Sequence, residues 1–315
     1  MSSLTIFSAI IVFLGALALS AVLVRVSITI AHRYEILDAP DGSRKLQVYA
    51  IPKLGGVAIA VAFTGCSMIL LAPSEHPVVI TEALGILLPA IAAAAVGYVD
   101  DKRGLFPSVR LALQAAIGLA IAFALRDTVN ITGSDLLDAA LVVLWVMMLI
   151  NGVNLLDNSD GLAGATVLVS SLIAAAVAAV CGQIVIAALG LALAGTAAGF
   201  LVLNWNPARV YMGDSGAYFL GTMLAALTLQ LKIAYADLPW TLLIPILVAS
   251  LPLVDTSYVV ISRLRRGVHP FTAGRDHLSH RLQHAGMGVR GSVLALESLV
   301  LVTGALAFVL TLAAR

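Results

Sequence analysis

The residues best suited to chemistry lie in the interval 151–164. Two carboxylates (Asp157, Asp160), three carboxamides (Asn151, Asn154, Asn158) and three glycines occupy fourteen positions between two apolar runs. Asp157 and Asp160 stand three apart and Asn154 three further back, a spacing that puts all three on one face if the stretch is helical. Aligned carboxylates and an amide suit a divalent cation or the edge of a nucleobase. The plainer reading is a turn in which Asp160 caps the next helix. Capping alone does not call for so many polar groups at a membrane boundary, where they are expensive.

Four further islands carry reactive types. Asp100 and Asp101 are adjacent carboxylates, so they need a cation or a proton between them. The alternative is a solvated pair neutralised by Lys102 and Arg103. Asp214 falls at the predicted start of a helix, a place that favours anions, and reads either as a cap or as a Mg²⁺ ligand. Asp255 stands inside an apolar run, and an intramembrane acid is a functional candidate by default. Glu297 is similar but lacks a surrounding motif and reads as structural. Between 263 and 282, Arg263, Arg265, Arg266, Arg275 and Arg281 mix with Asp276, His277 and His280. Guanidinium forks and imidazoles suit a pyrophosphate. A zinc site from His277, His280 and His284 would lack soft ligands, and the arginines favour an anion.

The elements that must position these groups are membrane helices. Of the 315 residues, 61% are hydrophobic and 11% charged, with a mean hydropathy of +1.04. Soluble domains average about 25% charged residues, so the chain reads as an all-α polytopic membrane protein forming one integral domain over 1–315. Ten apolar segments approach spanning length: 4–29, 55–73, 78–99, 109–126, 136–151, 162–181, 183–203, 215–232, 240–262 and 291–313. The fifth is short and is expected to continue into the 151–164 stretch. No basic residue precedes the first, which therefore reads as a retained span with the N-terminus outside. An eleventh span within 263–290 would move the C-terminus across the bilayer; with ten, both termini lie outside.

Ten spans put the odd-numbered connections on one side. That side holds 15 of the 18 lysines and arginines, leaving Arg126, Lys232 and Arg315 opposite. The asymmetry predicts a cytoplasmic position for the odd connections. Five of the six histidines and the aspartates named above, Asp255 excepted, lie there too. Such one-sidedness argues for chemistry at one face. A secondary transporter would place its key groups near the midplane of related halves, and no internal repeat is evident. A zinc protease would need His-Glu-x-x-His, which is absent, and the partner motif of an intramembrane aspartyl protease is missing. Cys66 and Cys181 suggest no disulfide framework.

In order, these islands resemble the polyprenyl-phosphate N-acetylhexosamine-1-phosphate transferase superfamily, glycosyltransferase family 4. The carrying segments are 38–40 with Arg44 and Lys45, 52–56, Asp100-Asp101, 154–161, 207–214 and 276–282. The last segment looks like the UDP-N-acetylhexosamine branch, since the three-histidine run of the phospho-MurNAc-pentapeptide branch is absent. Three positions depart from the family pattern: Gln47 for histidine, Asn158 for glycine, and Ser279 for the middle histidine.

The resemblance implies transfer of a sugar-1-phosphate, GlcNAc-1-phosphate being the first choice, from a UDP-N-acetylhexosamine to undecaprenyl phosphate. UMP would be released and cell-envelope polysaccharide, including lipopolysaccharide, primed. It implies Mg²⁺ or Mn²⁺ as cofactor, held by Asp214 and Asp157, and a bacterial inner membrane with the site facing the cytoplasm. Asp100, Asp101, Asp157 and His277 are expected to be catalytic. Lys45, Asn154, Asp160, Asn204, Asp255, Arg275, Asp276 and His280 are expected to bind substrate. Asp100 is the expected proton acceptor or orienting group for the lipid phosphate, and an aspartyl-phosphate route is the mechanistic alternative. No nucleic acid is implied; a homodimer is compatible.

Overall fold

A computed structural model describes residues 5–39, 49–72, 77–231, 238–269, 272 and 274–314. Lys45, with Arg44 and Gln47, lies outside these residues. The described chain is almost wholly helical: α1 (Ile6–Arg33), α2 (Gly55–Leu71), α3 (Pro77–Arg103), α4 (Pro107–Ala124), α5 (Asp135–Leu156), α6 (Leu162–Val180), α7 (Ile184–Asn204), α8 (Gly213–Leu229), α9 (Leu238–Val248), α10 (Ser250–Arg265), α11 (Leu278–His284) and α12 (Val289–Ala313). A two-residue antiparallel ribbon, β1 (Leu37–Asp38) and β2 (Ile51–Pro52), precedes α2.

Among the described residues the ten apolar segments are helical over most of their length, and the fifth does run on to Leu156. Among the described residues, seven helices are long and apolar enough to span a membrane, eight if one bent pair is a single span. α2 and α8, at 17 residues each, sit at the short end of spanning length. The chain is a multi-pass membrane protein. Among its described residues, the basic 263–290 interval holds the seven-residue α11 between the end of α10 and the start of α12.

α8 is the axis of the bundle: Gly213 and every residue from Ser215 to Thr228 is buried. It packs chiefly on α3 and α5, with α2 and α6 also in contact, while α1 lies outside against α7 and α2. Small residues admit this approach, as lipid-embedded helices need. A Cβ on Gly56 would land on the backbone nitrogen of Gly216, so α2 and α8 meet main chain to main chain. Thr222 and Thr228 turn their hydroxyls back to the carbonyls of Tyr218 and Leu224, so both donors are satisfied within α8.

The ninth apolar segment is two helices, not one. α9 and α10 meet at 82° across Ala249. Pro252 is the cause: an uninterrupted helix would carry a bond from residue 252 to the Val248 carbonyl, and proline has no N–H to give. Ser170 of α6 supplies the missing donor, its hydroxyl reaching Val248 O at 2.8 Å. The break carries Asp255 onto α10, where it faces the 276–278 loop instead of lying along a straight span.

Candidate active site at one end of the bundle

α3 ends on the aspartate pair, and the two members do different things. Asp101 accepts from the backbone N–H groups of Asp214 (3.1 Å) and Ser215 (3.3 Å). A helix start exposes unpaired donors and the positive end of its dipole, so α8 is capped by a carboxylate from α3. Asp214 lies in the first turn of α8 and does not cap it; its Oδ1 accepts from Asn154 Nδ2 at 2.6 Å. Gly213 makes the junction possible. Its φ of +64° suits glycine, and a Cβ there would run into the Asp101 carboxylate.

Lys53 completes this centre, with Nζ 2.6 Å from Asp101 Oδ1. Burial works against its charge, but Asp101, Asp214 and Asp38 outweigh that and hold the ammonium above the usual lysine range. Sequence reasoning counted Lys53 as a topology charge and as part of the 52–56 segment of the resemblance, but gave it no role in the site. The available signal was its place two residues before Gly55 and Gly56, whose N–H groups bond to Tyr211 O and Met212 O and pull β2 onto the start of α8.

Asp100 is buried, with three donors on its carboxylate: Leu105 N at 2.8 Å, Tyr218 Oη at 2.8 Å and Arg110 Nη1 at 3.4 Å. The three donors already occupy most of the acceptor positions of its oxygens. The geometry therefore favours the orienting role over proton acceptance. Tyr218 and Arg110, neither of them expected from sequence, are its partners.

The 151–164 stretch divides. Asn151 exchanges amide bonds with Gln114 of α4, Nδ2 to Oε1 at 2.6 Å, and braces two helices. α5 stops at Leu156, so Asp157 is its C-cap and Asp160 is already in the turn. The two aspartates do not share a helical face, contrary to the spacing argument. Asp160 does not cap α6 either; Gly161 stands at that position. Asp160 Oδ2 instead accepts from Asn206 Nδ2 (2.8 Å) and Ala208 N (3.0 Å), tying down the loop before α8. Asn204, expected to bind substrate, is buried with both amide ends on backbone: Gly161 N donates to it and it donates to Val210 O. It is a brace. Asn154 and Asp157 remain facing the acidic centre. Burial, then the charge of Asp214, pushes the Asp157 carboxyl well above its usual range.

A second wall comes from α10 and α11. His277 Nδ1 lies 2.7 Å from Asp255 Oδ2, and Leu278 N donates to Asp255 Oδ1 at 2.8 Å. The carboxylate thus fixes the imidazole and turns its Nε2 away from α10. The intramembrane acid is an orienting partner for histidine. Asp276, expected to touch substrate, is taken up by arginines: Arg263 grips it through two bonds (3.0 and 2.7 Å) and Arg266 through one at 2.6 Å. Those bonds, from Arg263 first, hold its carboxyl well below the usual range. Arg275 is exposed and lines a cleft with Arg263, Arg266 and Thr272. The His280 ring packs edge-on to His277, with centroids 5.7 Å apart. Burial and the neighbouring His277 lower its pKa. Glu297 accepts from Thr166 at 2.7 Å and links α12 to α6, in keeping with a structural role.

Among the described residues no three His, Cys, Asp or Glu side chains form a ready metal cage. The donor set nevertheless fits Mg²⁺, which keeps several waters and binds through one or two carboxylates plus substrate phosphates. Asp157 and Asp214 supply hard oxygens, and Asn154 Nδ2 holds Asp214 Oδ1 at 2.6 Å.

Residues 83–232 match the family model described as Glycosyl transferase family 4. A curated relative from Bacillus subtilis (strain 168), a probable undecaprenyl-phosphate N-acetylglucosaminyl 1-phosphate transferase, is 28% identical over 275 residues, 85% of this chain and 75% of the relative. A phospho-N-acetylmuramoyl-pentapeptide-transferase from Streptococcus pyogenes serotype M6 is 29% identical over 301 residues, 87% of each chain. Another of that description, from Streptococcus thermophilus, is 28% identical over 86% of each chain. The matched stretch contains Asp100, Asp101, Asn154, Asp157 and Asp214, the acidic half of the site. By that match and these relatives, the chain is similar to glycosyl transferase family 4 proteins.

Proposed function

We propose that this protein transfers an N-acetylhexosamine-1-phosphate, GlcNAc-1-phosphate in the first instance, from its UDP-activated form to undecaprenyl phosphate at the cytoplasmic face of a bacterial inner membrane. The carrying observation is the convergence of Asn154, Asp157, Asp214, Asp101 and Lys53 on one end of the bundle, opposite the Asp255–His277 wall. Two anionic substrates must meet there, so charge neutralisation and positioning dominate the rate.

In this reading Asp214 and Asp157 hold Mg²⁺ or Mn²⁺, which would neutralise the donor pyrophosphate. Asn154 and the adjoining turn border the uridine. His277, His280 and Arg275 hold the phosphate and sugar end. An oxygen of the lipid phosphate attacks the phosphorus bearing the sugar, and the bond to the UMP oxygen breaks. A phosphate monoester has its second pKa near 6, so the attacking group is largely dianionic at neutral pH and needs orientation more than deprotonation. Asp100 supplies that by holding Arg110, whose side chain is partly exposed at 32%.

Purified protein with labelled UDP-GlcNAc, undecaprenyl phosphate and Mg²⁺ should release UMP, and chelation should stop it. Folded Asp214→Ala protein should lose roughly a hundredfold or more in kcat, the scale of removing one electrostatic stabiliser. Release of UDP instead of UMP would show a different bond breaking. The pentapeptide transferases among the relatives favour a second donor, UDP-MurNAc-pentapeptide. A panel of UDP-sugars in the same assay decides between them.

A further inference from the structure

Two side chains that the mechanism leaves unused join the two walls of the site. Ser279, on α11 and fully buried, donates its hydroxyl to Asn158 Oδ1 at 2.6 Å. The Asn158 amide also donates to Leu155 O, a carbonyl of the last turn of α5. Because a carbonyl can only accept, the amide nitrogen must face Leu155, and Oδ1 is thereby aimed at Ser279. One turn along the same face of α11, Gln283 Nε2 donates to Ser159 Oγ at 3.1 Å. α11 is thus attached at two points, a helical turn apart, to the turn that follows Asp157.

The positions flanking these bonds are the ones that matter for the donor. Asp157 directly precedes Asn158, and His280 directly follows Ser279. His277, at the start of α11, is held from the other side by Asp255. The path from Asp157 to His280 therefore crosses one peptide bond, one hydrogen bond and one more peptide bond. α11 is too short to hold itself in water, so these bonds and the Asp255 contact set where its imidazoles stand.

We propose that the Asn158–Ser279 and Ser159–Gln283 bonds act as a clasp that fixes the distance between the nucleotide wall and the phosphate-and-sugar wall. The site is thereby gauged to a donor long enough to touch both, a nucleoside diphosphate sugar. This rests on the functional reading above. Asn158, Ser159, Ser279 and Gln283 are positioning residues, acting through Asp157 and the two histidines.

The test compares a ligand that reaches both walls with one that reaches only the first. UDP-GlcNAc and UMP are titrated calorimetrically into wild-type, Asn158→Ala, Ser279→Ala and the double variant, each checked for monodispersity and thermal unfolding. The pair Ser159→Ala and Gln283→Ala runs in parallel should Ser279→Ala fail to fold. Each single variant should weaken UDP-GlcNAc roughly three- to tenfold, the worth of one hydrogen bond, with UMP affinity unchanged. The double variant should be no weaker than the worse single, as expected for one shared contact. Equal losses for both ligands, additive losses, or no loss in folded variants would overturn the clasp. Wild-type protein that binds neither ligand would remove the functional reading itself, a result visible before any substitution is made.

Discussion

Lys53 is the residue on which the charge balance of the site turns. It bonds Asp101, which caps α8, and feels the field of Asp214 and Asp38. Lys53→Met keeps the length of the stem and removes the charge, leaving a buried carboxylate uncompensated. Turnover should fall roughly a hundredfold, measured as UMP release against wild-type at matched folding. Asp276 allows a different test, because its partners are Arg263 and Arg266 and the interaction reads out as stability. Its folded pKa is depressed, so its contribution is fully present above the unfolded value of about 3.9 and is lost as pH falls below it. Asp276→Asn should cost about 2 kcal/mol. Thermal unfolding in detergent should show that gap constant from pH 5 to 8 and shrinking below about pH 4.

At the scale of elements, the bend between α9 and α10 depends on two residues from different helices. Pro252 leaves the Val248 carbonyl without its helical donor, and Ser170 fills the place. Ser170→Ala should destabilise the protein by about 1–3 kcal/mol, the cost of a buried unsatisfied carbonyl. Pro252→Ala should suppress that loss by restoring the helical bond; the double variant measures the compensation. The close contact of α2 with α8 predicts a harsher outcome for Gly56→Ala. Its Cβ has only backbone to displace, so expression and monodispersity should collapse.

The same elements show how far the amino-acid sequence could be read. Apolar length and composition located the apolar helices, because the lipid-facing surface of a helix has to be apolar, but not the polar α11. The break at Ala249 escaped because Pro252 is also compatible with a single, kinked span. Asp157 and Asp160 were aligned on a helix that Leu156 already ends, and only the turn ahead of Gly161 sends Asp160 to Asn206. The acidic residues of the site were visible as anomalies of polarity. Asn204 looked the same from sequence, because a buried brace and a substrate ligand are both polar residues in apolar company. Lys53 was hidden for the opposite reason: a cation at a membrane edge has an ordinary explanation.

For the molecule as a whole, the ends of the helices sort into two faces. Asp100, Asn154, Asp214, Asn206 and Arg290 gather at one, linked by bonds such as Arg290 Nε to Asn206 O. Asp138 with the 131–132 backbone, and Gln183 with Gln230, lie at the other. Single cysteines at Thr272 and Thr132, in protein lacking Cys66 and Cys181, should therefore label from opposite sides of sealed vesicles. With the proposed orientation, only the Thr132→Cys site should react with an impermeant maleimide added outside intact cells.

The contact between Gly56 and Gly216 has a consequence for how such a protein can diversify. Where two helices touch through their backbones, the gap between the groups they carry is independent of any side-chain conformation. Lys53 and Asp214 are mounted on such a joint, whereas the wall bearing His277 and His280 is attached through side-chain hydrogen bonds. Under the proposed function, substitutions at the histidine wall should change the preferred donor while leaving the Lys53–Asp214 spacing as it is.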